Sequence, residues 1–131
     1  MSDLELLLEK VRTAEAGSLE LDGQIFNAVV GVDAHDAKRW YGGGIESHVT
    51  TSFDAIVALI ERELPGWNIQ VFKNDEGWMA RLRSPRYDLF CTNVVDGVER
   101  RVPSGPLALC AAFLAAKAAL EQTGSGETGN E

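Results

Sequence analysis

The feature that most constrains this chain is a change of period at Pro65-Gly66. Before it, apolar residues recur at helical spacing. Phe53, Ile56, Val57, Ile60 and Leu64 fall on one stripe, with Glu61, Arg62 and Glu63 turned outward. After it, the period drops to two. Trp67, Ile69 and Val71 alternate with Asn68, Gln70 and Phe72. Beyond the turn-forming run Asn74-Asp75-Glu76-Gly77, Trp78, Ala80 and Leu82 alternate with Met79, Arg81 and Arg83. A chain of this kind must bury a helical stripe against a half-apolar pleated layer.

The strand region continues to about residue 102. Ser84-Pro85-Arg86 breaks the hairpin, and Tyr87 to Val95 then runs into Asp96-Gly97. Asp-Gly between β-rich runs favours a two-residue type I′ turn. That register sets Val95 opposite Val98, Asn93 opposite Arg100 and Cys91 opposite Val102. The pattern predicts a four-stranded antiparallel meander over about residues 67–102.

Four helices surround it. Ser2-x-x-Glu5 reads as a capping box for a helix over about 3–16, with Leu4, Leu7, Leu8 and Val11 on one stripe. Gly17 stops that helix, and Ser18 caps a second over about 19–31. Its inward face is read as Leu21, Ile25, Ala28 and Val29, with Phe26 at the edge. Thr51 or Ser52 caps the third, over about 52–64. The last, over about 106–122, opens on Pro106 and buries Leu107, Cys110, Phe113, Leu114 and Ala118. Residues 1–122 are read as a single α+β domain. The polar tail 123–131 has no apolar anchor and is expected to be disordered.

The charge is uneven. Of 20 acidic and 12 basic residues, residues 1–66 hold 12 acids and 5 bases, whereas residues 67–102 hold 5 acids and 6 bases. A net charge of −8 disfavours a duplex nucleic-acid binder, which needs a basic footprint. No apolar run reaches the roughly 20 residues of a membrane span. The acidic start lacks the bases of a secretion signal, so a cytoplasmic home is expected.

No catalytic motif is present: there is no nucleophile elbow, no H-E-x-x-H, and Gly42-Gly43-Gly44 lacks the Lys-Ser/Thr ending of a phosphate loop. The protein is therefore read as non-enzymatic, with no cofactor and no metal. His35, His48, Asp33 and Asp36 lack ligand spacing and are read as surface residues. Cys91 and Cys110 sit at apolar positions and are read as buried and structural. The candidate binding residues are Trp40 and Tyr41, in the glycine-rich loop, and Trp78, Arg81, Arg83 and Arg100 on the strands. Arg forks pair bidentately with phosphate or carboxylate, so these suit an acidic partner or a small anionic ligand. The reading placed ahead of this has the same arginines pairing with acids of the N-terminal helices or solvating an edge strand. The half-polar second sheet face, with Gln70, Phe72, Met79, Arg81, Arg83, Asp88 and Phe90, leaves room for a homodimer.

The order of motifs is similar to one known family. Glu20 to Phe26, Thr51 to Ala55, Pro65-Gly66-Trp67, Gly77-Trp78 and Pro106 to Ala112, taken in sequence, resemble the phage ABA sandwich family, small phage and prophage proteins without an established general role. The resemblance spans about residues 4–120. It implies helices on both faces of a sheet and a phage or prophage accessory role, exercised on a host or phage protein in the bacterial cytoplasm. Family members often carry an aromatic-rich, proline-containing loop before the central helix; here glycines occupy that loop.

Overall fold

The computed structural model describes residues 3–29, 48–86, 89–91, 94–95, 98–99 and 101–127. The elements are α1 (Asp3–Thr13), α2 (Leu19–Val29), α3 (Phe53–Glu63), β1 (Asn68–Asn74), β2 (Gly77–Arg83), β3 (Leu89–Cys91), β4 (Val94–Val95), β5 (Val98–Glu99) and α4 (Gly105–Glu127). The class is α+β, and the change of period falls where the sequence places it.

Local chemistry sets the helix starts. Ser18 Oγ accepts from Leu21 N at 3.1 Å, and Ser52 Oγ accepts from Ala55 N at 3.2 Å. Ser104 Oγ accepts from Leu107 N at 3.3 Å, so α4 begins at Gly105, with Pro106 one place further in. Each cap satisfies an amide that has no partner within its own helix. The capping box at Ser2 lies outside the described residues. At its far end α4 runs to Glu127, through Gly124 and Gly126, past the end expected near residue 122. The helix is therefore five residues longer at this end than the spacing predicts; residues 128–131 lie outside the described residues.

Helix α4 is the centre of the molecule. Every residue from Leu107 to Leu114 is at most 1% exposed, so the helix is buried all round rather than along one stripe. Its alanines, Ala108, Ala111, Ala112 and Ala116, let neighbours approach closely from several sides. It packs against α1 and α3 on one side and against β1, β2 and β3 on the other. The α1 stripe lands as expected, with Leu4, Leu7, Leu8 and Val11 buried.

The two other helices are rotated from their expected faces. In α2 the buried residues are Asp22, Ile25 and Phe26, while Ala28 is exposed and Leu21 only half-buried. In α3 they are Ala55, Ile56, Leu59 and Ile60, and Phe53 swings out to 39% exposure. Its ring instead lies 5.8 Å from that of Trp78, and a Cβ on Gly105 would overlap it.

The main sheet has the order β1-β2-β3 and is antiparallel. β1 and β2 pair without a bulge from Asn68↔Arg83 to Asn74↔Gly77. Glu76 N donates to Asn74 Oδ1 at 2.8 Å inside the turn, and Gly77 leaves it at φ +128. That conformation suits glycine, and a Cβ there would come within 2.7 Å of the Val102 carbonyl oxygen.

The fourth strand of the meander is where expectation fails. Val95 does pair with Val98. Cys91, however, pairs with Arg81, and Val102 pairs with Trp78 through two hydrogen bonds of 2.9 Å. Both stretches therefore lie along the same edge of β2. Passing from the first pairing to the second advances three residues on β2 and eleven on its partner. The extra residues include the separate β4–β5 ladder, so the Asp-Gly hairpin interrupts the third strand instead of adding a fourth outside it. Asn93 and Arg100 lie outside the described residues.

All four described helices share one core, and its strand residues, Ala80 and Leu82 with Ile69 and Trp78 at the margin, belong to a single face of the sheet. Among the described residues, then, helices cover one face and not both. No helix among them is long and apolar enough to cross a membrane.

Candidate interaction surfaces

Alternation along β2 divides the predicted strand residues. Trp78 pairs with Lys73 and points with Ala80 and Leu82 toward the core side; Lys73 Nζ lies 5.7 Å from the centre of its ring. Half-buried against Phe53, Trp78 closes the end of the core. Arg81 and Arg83 point the other way, opposite Gln70 and Asn68. The strand alternation thus sets Arg81 and Arg83 on one face of β2 and Trp78 on the other. Trp40, Tyr41 and Arg100 lie outside the described residues.

The arginine face has its own aromatic. The Arg81 guanidinium sits 5.1 Å from the centre of the Phe72 ring, a diagonal neighbour on β1. Phe72 is 41% exposed and Arg83 is exposed, whereas Met79 on the same face is buried. The result is a shallow cationic strip over an exposed ring.

A second cluster is buried between α2 and the turn that precedes α3. Asp22 is 1% exposed on the inward face of α2. Its Oδ1 accepts from Thr50 N at 2.9 Å and faces Thr50 Oγ1 at 2.6 Å. Thr50 Oγ1 also accepts from Ser18 N at 2.9 Å. A hydroxyl has one proton, and the short distance to a carboxylate assigns it to Asp22 rather than to the Ser18 carbonyl at 3.1 Å. Asp22 Oδ2 is buried with no hydrogen-bond partner among the described residues.

Two further contacts tie this latch into the fold. A Cβ on Gly17 would overlap the Thr50 carbonyl, so only glycine lets the α1–α2 corner approach so closely. Cys110 Sγ, on α4, donates to Val49 O at 3.3 Å. Burial pushes the Cys110 thiol well above its ordinary value, and the nearby Asp22 carboxylate adds to the shift. A thiol held protonated is a poor nucleophile and serves here as a packed donor.

The latch fixes the corner that carries the exposed residues Glu15, Leu19 and Glu20, of which Leu19 is 68% exposed. Asp22 escaped the sequence reading, although a signal was present. It stands three residues before Ile25 and four before Phe26, on the stripe that proves to be buried. His48 lies in the turn before α3, where its carbonyl accepts from Ser52 N at 2.9 Å. Among the described residues no three His, Cys, Asp or Glu side chains gather to hold a metal ion.

The chain matches no protein-family model, no curated protein and no solved structure.

Proposed function

We propose that this chain is a non-enzymatic binding protein that engages another protein, and that it serves as a cytoplasmic accessory factor of a phage or prophage. The order of its motifs supports the phage ABA sandwich kinship. One structural observation carries the protein-binding reading: Leu19 stands 68% exposed between the exposed acids Glu15 and Glu20 on a corner that buried hydrogen bonds hold in place. A large apolar side chain presented on a rigid, acid-flanked support suits a partner that offers an apolar pocket with a basic rim. Affinity capture from bacterial lysate with the full tagged chain tests this. Stoichiometric recovery of a partner, lost at high salt and lost in a Glu15→Lys, Leu19→Ala, Glu20→Lys variant, is the expected result. Recovery that ignores both changes, or no recovery at all, contradicts it.

A second reading, a small phosphate-bearing ligand held by the sheet, is favoured by Arg81 and Arg83 sharing one face with Phe72 under the guanidinium. Melting temperatures measured against a nucleotide panel at millimolar concentration check it. An upward shift that disappears in Arg83→Ala is expected on this reading, and an unmoved midpoint removes it.

A further inference from the structure

We draw no further inference here: the strongest candidate, the buried cluster of Asp22, Thr50 and Cys110 between α2 and the turn before α3, leaves Asp22 Oδ2 without a hydrogen-bond partner among the described residues, but nothing in the structure shows what would bind there.

Discussion

The two sides of α4 are built on different principles. On the helical side, α1 and α3 pack against α4 through buried residues, and α2 packs against α1 with its Asp22 carboxylate hydrogen-bonded to Thr50. On the other side, among the described residues, β1 and β2 give Ala80, Leu82 and part of Ile69 and Trp78 to the shared core. The far face of this sheet carries arginines, and its edge strand is exposed along almost its whole length. The contrast separates two tasks. Stability is concentrated around α4 and the latch, which leaves the sheet edge and the Leu19 corner free to present side chains that contribute little to folding.

This contrast can be broken at several points, with effects that should fall in order. Phe113→Ala removes a fully buried ring from α4 and should cost about 3–5 kcal/mol in urea unfolding. A loss near 1 kcal/mol would mean that α4 is not the centre of the core. Thr50→Val keeps the shape of the latch but takes the proton from Asp22, and should cost about 1.5–3 kcal/mol. In a double-mutant cycle, Asp22→Leu combined with Thr50→Val should cost less than the two single losses summed, since replacing both partners leaves no orphaned carboxylate.

The next effect depends on pH. An unfolded chain releases the Cys110 proton as pH rises through the ordinary value of 9.0, while the folded chain holds it to higher pH. Above that value the native state binds more protons than the unfolded state, so stability should fall with pH, toward a limit of about 1.4 kcal/mol per pH unit. Below it the term vanishes. Chemical denaturation on either side of pH 9.0 should show this slope in the wild type and a reduced one in Cys110→Ala. The difference between the two isolates the thiol from the other groups that titrate there. Smallest of all, Val71→Thr on the exposed edge should change stability by no more than about 0.5 kcal/mol. A larger loss would place β1 within the cooperative core.

Much of the fold is legible in the sequence because its signals are local. The caps at Ser18 and Ser52, the α1 stripe, the Pro65-Gly66 boundary and the β1–β2 alternation each depend on residues within one turn or one hairpin of each other. The errors arise where a long-range partner decides. Asp22 occupies a position that helical spacing would assign to an apolar residue, and only Thr50, 28 residues away, makes its burial tolerable. Phe53 leaves the expected stripe because Trp78 and Gly105 offer it a better surface. The Asp96-Gly97 hairpin signal located the Val95–Val98 pairing correctly, but turn chemistry says nothing about which strand the chain then rejoins. The candidate site divides in the same way. Period two along β2 already places Arg81 and Arg83 on one face and Trp78 on the other, so their separation was readable. The lean of Arg81 over Phe72 was not, since it depends on a rotamer across two strands.

Native-state amide hydrogen exchange tests the division of labour most directly. The account predicts that amides from Ala108 to Ala116 in α4 exchange only through global unfolding, while β1 amides exchange through local opening at far lower free energy. Equal protection of β1 and α4, or faster exchange in α4, would contradict it.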